Sequence, residues 1–412
     1  MSTKDCKNRE NIAQSPSCIS HDSVYICANA LNSITMSASF EQILLYIFLF
    51  FTLLQLLFIF LADSQLLFYK KPAPSEDLPP VSLIIAAHNE LANLQALLPL
   101  LEEQNHPEFE IIIIDDRSDE EMQLWLLAQR QRSPRLKVVR IDQSPAHISP
   151  KKYAVTLGVR AAQYEHLLFT DADCRPQSKS WISQMAAAFS AQKQIVLGVS
   201  PYIKKNTFLN YIIRCETFFT AIQYLSFKLL GMPYMGVGRN LAYTKSLFLQ
   251  HKGFSRHQHL LSGDDDLFVN EAATRKNTAI CINAEAHCFS QAKESWRDWW
   301  TQKTRHLSVG KYYRAGHRFV LGSLYGSHVL FWVLGIIGLF FVQWPPQHWL
   351  EQVFLAAFGG RILLKATFLY LAARRAGLSC TWFELLGFDL LYVLYILVFG
   401  LKTLFSKAIK WS

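Results

Sequence analysis

The chain of 412 residues is 51% hydrophobic with a mean hydropathy of +0.12, more apolar than a soluble enzyme of this length requires. Its net charge of +9 is modest, and no Lys/Arg run of the nucleic-acid type occurs, so the basic excess suits anionic lipid headgroups and no nucleic-acid partner is expected. Eight cysteines without CxxC or CxxxC spacing indicate neither a zinc site nor a disulfide framework.

In chain order, residues 1–40 are polar and irregular; they are expected to be disordered and carry no assigned function. Residues 43–61 form an uncharged apolar run long enough to cross roughly 30 Å of hydrocarbon as a helix, which predicts a first membrane span within 41–65. The run starts well inside the chain and is followed by Gln65-Leu66-Leu67-Phe68-Tyr69 rather than a small-residue cleavage site, so it reads as an anchor and not a signal peptide.

From 72 to 290 short apolar runs alternate with amphipathic stretches, the pattern of an α/β domain built on one open sheet. Strands are predicted at 81–87, 110–114, 136–141, 166–170 and 195–199, with helices at 91–103 and 151–163 between them. In open α/β sheets ligands bind beyond the carboxyl ends of strands. Those ends are unusually polar here: His88-Asn89-Glu90, Asp115-Asp116-Arg117-Ser118-Asp119 and Asp171-Ala172-Asp173.

Asp171 and Asp173, separated by one small residue, can leave the sheet edge on the same side and suit a hard divalent cation, Mg²⁺ or Mn²⁺. Such an ion takes one or two protein carboxylates and completes its shell with water and phosphate oxygens. Lys151, Lys152, Arg239 and Arg305 are cations available to a diphosphate. The run Ser262-Gly263-Asp264-Asp265-Asp266-Leu267 offers three carboxylates as a general base. An Asp-x-Asp triplet by itself more often caps a helix or faces solvent; its place after successive strands, in order along one domain, makes the combination specific.

Residues 208–230 are aromatic-rich yet contain Arg214, Glu216 and Lys228, and are expected to lie along the membrane surface, the alternative being a core helix of the α/β domain. Residues 291–318 follow as an amphipathic interface segment with Trp299 and Trp300, expected to serve as interfacial anchors. Three further spans are predicted within 319–405, at 320–342, 353–372 and 383–404, ahead of a tail at 406–412. Arg361 and Lys365, one turn apart, require that face of the second to look into the bundle or towards the interface. Lys70, Lys71, Arg374 and Arg375 flank the domain, whereas residues 343–352 carry no Lys or Arg, which places the α/β domain in the cytosol. Lys402, Lys407 and Lys410 would then fall on the outer side, against the rule, unless the tail lies in the interface.

With these residues in hand, the stretch from 79 to 310 resembles the inverting family 2 glycosyltransferases of GT-A fold, in particular the membrane-embedded branch of cellulose, chitin and hyaluronan synthases. The resemblance implies an open mixed sheet flanked by helices, with one N-terminal and about three C-terminal transmembrane helices. It implies donor contacts at Asn89, Glu90, Asp115, Asp116 and Lys151, a metal at Asp171 and Asp173, with Asp171 also serving the donor, and a catalytic base in the Gly-Asp-Asp-like run. Matching the downstream acidic-leucine pair makes the base Asp264, and the Gly-Asp-Asp register, preferred here, makes it Asp265. The processive branch ends in Gln-x-x-Arg-Trp; this chain has Gln302-Lys303-Thr304-Arg305-His306, matching at Gln302 and Arg305 and departing at His306. Gly236-Val237-Gly238-Arg239-Asn240 is similar to the family's approach to the acceptor, which puts Arg239, Asn240 and His306 on the acceptor side. The implied protein is a membrane-bound transferase in a bacterial inner membrane, moving a sugar from a nucleotide-sugar donor, UDP-linked by family expectation, to a glycan or lipid acceptor. A nucleotide-sugar-binding scaffold without turnover is the alternative, and four spans without internal repeats make a poor transporter.

Overall fold

The structure, a computed structural model, describes residues 21–71 and 78–405. Residues 1–20 of the polar N-terminal segment and the 406–412 tail with Lys407 and Lys410 lie outside the described residues. A helix spans His21–Phe58, so within the described residues it starts well ahead of the apolar run that signalled it.

The α/β domain is built on strands β1 (Val81–Ala87), β2 (Phe109–Asp116), β3 (Leu136–Ile141), β4 (His166–Phe169), β5 (Cys174–Pro176), β6 (Ile195–Leu197), β7 (Leu241–Thr244), β8 (Thr278–Ile280) and β9 (Cys288–Ser290). Seven of them form one sheet in the order β3-β2-β1-β4-β7-β6-β8, and β5 pairs with β9 in a separate ribbon. β1 to β4 run parallel, and β7 is antiparallel to both its neighbours, so the sheet is open and mixed as expected.

Every residue of β2 is buried because side chains alternate between two covered faces. Leu83, Ile85, Ile111 and Ile113 pack on one side against Leu94, Leu97 and Leu101 of the Leu91–Glu102 helix. Ile84, Ile112 and Ile114 pack on the other with Val155 and Val159 of the Pro150–Ala161 helix. Gly158 lets that helix lie close, since a Cβ there would sit 2.7 Å from side-chain carbons of Ile84 and Ile114.

The Phe208–Leu229 helix does not rest on the membrane surface as an exposed element. Cys215, Phe218, Phe219 and Ile222 are buried in the same core as the sheet residues and as Leu385, Phe388 and Tyr392 of the Trp382–Phe405 helix. The apolar helices cover its outer side, so the alternative of a core helix describes it better.

Among the described residues, four helices are long and apolar enough to cross a membrane: Phe40–Phe68, Ala315–Leu339, Trp349–Arg375 and Trp382–Gly400. Arg361 and Lys365 do face the bundle. Arg361 pairs with Asp389 and donates to Gln55 Oε1 at 2.5 Å, and Lys365 Nζ lies 2.5 Å from Asp63 Oδ2. Each buried charge has an opposite partner, the condition under which charge is tolerated at such depth.

Candidate active site

The acidic strand ends converge on one rim because β1, β2 and β4 are adjacent and parallel, with Ala87 opposite Asp115 and Ile84 opposite Phe169. Two turns at this rim are tied together. Asn89 Oδ1 accepts from the Asp119 N–H at 2.9 Å, and the Asn89 N–H donates to Ser118 Oγ at 2.9 Å. Asn89 has φ of 55°, a left-handed conformation that Asn adopts more readily than most residues. Asp115 is buried against Arg140, Asp116 accepts from Arg117 Nε at 2.8 Å, and Glu90 accepts from Asn93 Nδ2 at 2.6 Å.

Beside this rim lies a cavity of about 500 Å³. Asp171 and Asp173 follow β4 and line it, as do Lys151 from the first turn of the Pro150–Ala161 helix, Asp264 and Asp265. Gln302, Arg305 and His306 of the Trp296–Leu307 helix close the other side. The cavity thus gathers residues spread over more than half the chain.

Lys151 is the hub of the charge arrangement. Its ammonium lies 3.0 Å from Asp171 Oδ1 and 3.3 Å from Asp264 Oδ2. Enclosure works against its charge, but the two carboxylates prevail and raise its pKa. For Asp264 enclosure pushes upward, yet Lys151 holds the carboxyl below its ordinary range. Asp265 is shifted upward, by burial and then by the neighbouring Asp264 charge, although the N–H groups of Gly238 and Asp266 donate to its two oxygens at 2.7 and 2.8 Å. Asp266 is pushed up to about 8 by burial and by Asp265, against the Tyr313 hydroxyl that donates to it at 2.8 Å. Adjacent carboxylates with pKa values driven apart by their surroundings can divide acid-base roles between them.

The turn holding these aspartates is fixed from behind. Lys152 is buried and donates to the carbonyls of His257, Leu260 and Ser262 at 2.7, 3.0 and 2.8 Å. It therefore supports the turn and does not face the cavity, contrary to its expected availability to a diphosphate; burial lowers its pKa to about 8. Gly263 has φ of +89° and no room for a Cβ, which would come within 2.5 Å of Leu267.

Arg239 lines the cavity with its guanidinium 4.2 Å from the centre of the Tyr202 ring; Nη2 donates to the Ser200 carbonyl at 3.2 Å, and Nη1 is buried without a hydrogen-bond partner among the described residues. His306 faces the cavity and is held far below its usual pKa, first by removal from bulk water and then by Lys303, Arg305, Arg239 and Lys151. Asn240 requires correction as an acceptor-side residue: it is fully buried, its Oδ1 accepts from Trp181 Nε1 at 3.1 Å, and its Nδ2 donates to the Val199 and Ala286 carbonyls at 2.8 Å each. Its amide is consumed by the Trp181 indole and the Val199 and Ala286 carbonyls in the interior, away from the cavity.

Two features escaped the sequence. Glu216, buried in the Phe208–Leu229 helix, pairs with Lys303 and accepts from Thr220 Oγ1 and Tyr395 Oη, both at 3.2 Å; Glu216 and Lys303 both line the cavity. The one signal was an acidic residue inside an aromatic helix. The Tyr313–Asp266 contact joins segments too distant for any spacing rule.

Among the described residues no group of three or more His, Cys, Asp or Glu side chains could hold a metal ion. Two carboxylates on one cavity wall, Asp171 and Asp173, fit a hard cation whose other ligands are phosphate and water, and do not fit a site made of protein alone.

The mixed sheet, whose parallel strands deliver carboxylates and cations to one rim, is that of the GT-A fold. The family model described as "Glycosyl transferase family 2" matches residues 82–251, a part of the α/β domain that ends short of Asp264 to Asp266, β8 and β9. Among solved structures, the mannosyltransferase PcManGT from Pyrobaculum calidifontis is similar over 89% of this chain and 99% of its own, with 17% identity and a TM-score of 0.57. GalNAc-T7 (14% identity, 57% of this chain and 48% of its own, TM-score 0.42) and S. aureus TarS (17%, 72% and 53%, TM-score 0.42) are more distant. No curated protein matches the chain in sequence.

Proposed function

We propose that the protein is a membrane-bound inverting glycosyltransferase that moves a sugar from a nucleotide sugar, UDP-linked by family expectation, to a glycan or lipid acceptor. The observation that carries this is the single cavity holding Asp171, Asp173, Lys151, Asp264, Asp265, Gln302 and Arg305 together. PcManGT, which shares the fold, was solved with GDP-Man and Mn²⁺, and a nucleotide sugar with Mn²⁺ or Mg²⁺ is the corresponding pair proposed here.

Asp171 and Asp173 would hold the cation, which would supply positive charge to the diphosphate as it leaves. Asn89, Glu90, Asp115 and Asp116, on the neighbouring strand ends, belong to the donor's nucleoside side. An acceptor hydroxyl attacks the anomeric carbon opposite the diphosphate, so the configuration inverts. Its proton passes to Asp265, the carboxylate whose pKa is raised towards the range of an effective base. The bond from the anomeric carbon to the diphosphate oxygen breaks, and Arg305 and Arg239 face the departing charge from the cavity wall. Arginine offers a forked pair of donors suited to phosphate oxygens. Asp264, kept charged by Lys151, positions that lysine rather than accepting the proton.

The domain is proposed to face the cytosol of a bacterial inner membrane. Lys70, Arg374 and Arg375 sit at the domain end of their helices, where Arg375 Nη2 donates to the Tyr69 carbonyl at 2.8 Å. Purified protein incubated with a panel of radiolabelled nucleotide sugars and Mn²⁺ or Mg²⁺ tests the reading. Transfer or metal-dependent donor hydrolysis from at least one donor is expected, and metal-independent binding without turnover of any would make the chain a scaffold.

A further inference from the structure

Lys151 stands between two acidic groups of the cavity. Its ammonium is 3.0 Å from Asp171 Oδ1 and 3.3 Å from Asp264 Oδ2, so one cation bridges the end of β4 and the turn that carries Asp265. Among the described residues it is the only cation in an ion pair with Asp171 or Asp173. Two neighbouring cations are engaged elsewhere: Arg239 donates to the Ser200 carbonyl and lies over the Tyr202 ring, and Lys303 pairs with Glu216.

The two carboxylates assigned to the divalent cation are therefore not equivalent. Asp173 is held by a neutral group: Ser290 Oγ, brought beside it by the pairing of β9 with β5, donates to Asp173 Oδ2 at 3.3 Å. A hydroxyl positions a carboxylate without neutralising it. Asp171 instead has its charge matched by Lys151. A dication on either oxygen of Asp171 would lie within about 7 Å of that ammonium, inside the distance over which physiological salt screens charge. Among the described residues no third His, Cys, Asp or Glu joins the two aspartates to offset this repulsion.

A nucleoside diphosphate changes the balance. It brings several negative charges to the same place, and a compact ammonium on a four-carbon stem can turn from a carboxylate to phosphate oxygens. Lys151 suits such a turn: its backbone is fixed in the first turn of the Pro150–Ala161 helix, while its side chain is 42% exposed.

We infer that Lys151 and the divalent cation compete for Asp171, and that the nucleoside diphosphate settles the competition by drawing Lys151 onto its phosphate oxygens, so that cation and nucleotide bind together and each only weakly alone. This rests on the transferase reading and adds a binding order to it. Asp264 holds Lys151 within reach of both positions, a task separate from proton transfer at Asp265.

The test measures Mn²⁺ binding to the full chain in detergent, from the paramagnetic resonance signal of free Mn²⁺, alone and with saturating UDP or GDP. Calorimetry follows the nucleotide with and without Mn²⁺. In the parental protein nucleotide should tighten Mn²⁺ at least about tenfold, and Mn²⁺ should tighten nucleotide by the same factor, since such coupling is reciprocal. Lys151→Met should bind Mn²⁺ alone about tenfold more tightly than the parent, with a smaller coupling factor. Asp264→Asn, which leaves Asp171 as the closest carboxylate to Lys151, should bind Mn²⁺ alone more weakly and show a larger coupling factor. Equal Mn²⁺ affinity with and without bound nucleotide in the parent, or a Lys151→Met variant that binds Mn²⁺ alone no more tightly than the parent, would overturn the inference. Should Lys151→Met not fold, Asp264→Asn decides, and an unchanged coupling factor there is the refuting result. A parental protein that binds neither UDP nor GDP, with Mn²⁺ or without, would instead overturn the transferase reading itself.

Discussion

Asp265→Asn separates the two aspartates that could take the acceptor's proton. The carboxylate oxygens accept the Gly238 and Asp266 N–H groups at 2.7 and 2.8 Å, and an amide can present its oxygen to only one of them. The other N–H then faces an NH₂ group, a local loss of about 1–3 kcal/mol. That is small enough to leave the domain folded. Removing a general base typically costs a factor of roughly 10² to 10⁴ in turnover, about 3–5 kcal/mol of transition-state stabilisation. Asp264→Asn should behave differently. It frees Lys151 from one of two partners but leaves the 3.0 Å contact with Asp171, so weaker donor retention should outweigh the loss in kcat. The assay is transfer rate beside Mn²⁺-dependent nucleotide binding on the same preparations, repeated across pH. Because the Asp265 pKa is raised, the parental rate should fall on the acid side at a pH above the ordinary carboxylate range, and this limb should vanish in Asp265→Asn. Parental turnover in Asp265→Asn, with an inactive Asp264→Asn, would refute the assignment and make Asp264 the base.

Asp173→Ala, or excess EDTA, should abolish transfer and metal-dependent nucleotide binding together, and full activity in either case would remove the metal assignment. Arg305→Ala should give a folded, membrane-bound protein with strongly depressed turnover and Arg305→Lys a partial deficit, whereas an unchanged rate would leave Arg305 a lipid anchor; His306→Trp should alter acceptor preference with donor binding intact. A cysteine at Gln347, between the second and third apolar helices, should label from outside intact cells, and reaction only after permeabilisation would reverse the orientation. His257 and His287 are pushed down to about 4, mainly by burial, from an ordinary value near 6.5. Their folded pKa lies below the unfolded one, so the stability of the neutral rings is complete above about pH 6.5 and lost as pH falls towards 4. Thermal unfolding in detergent should follow that window, with a shallower loss in His287→Gln, and a flat melting temperature across it would contradict the burial argument.

The residues fixed by local physics were legible in the sequence. Strands β1, β2 and β4 stood out because a strand covered on both faces must be apolar at nearly every position, as in Phe109–Asp116. Polar groups cannot be carried through such a core, so they collect at strand ends, and Asn89, Asp116, Asp171 and Asp173 could be named before any coordinates. The apolar runs announced helices long enough to cross a membrane, since hydrocarbon thickness sets a minimum length.

Tertiary structure decided what depends on partners distant in the chain. Asn240 and Arg239 are neighbours in one motif, yet one is spent in the core and the other faces the cavity, because direction is set by packing and not by residue type. Lys151 and Lys152 are likewise adjacent, and a helix turns them to opposite tasks, one to the carboxylates and one to the carbonyls of a loop. The Glu216–Lys303 pair joins two helices, and no spacing rule connects them. Hydropathy measures whether a helix tolerates lipid, and it says nothing of the direction in which the helix runs. Only packing supplies that: along Trp382–Phe405, Glu384 meets Tyr211, Asp389 meets Arg361 and Phe399 meets Trp299.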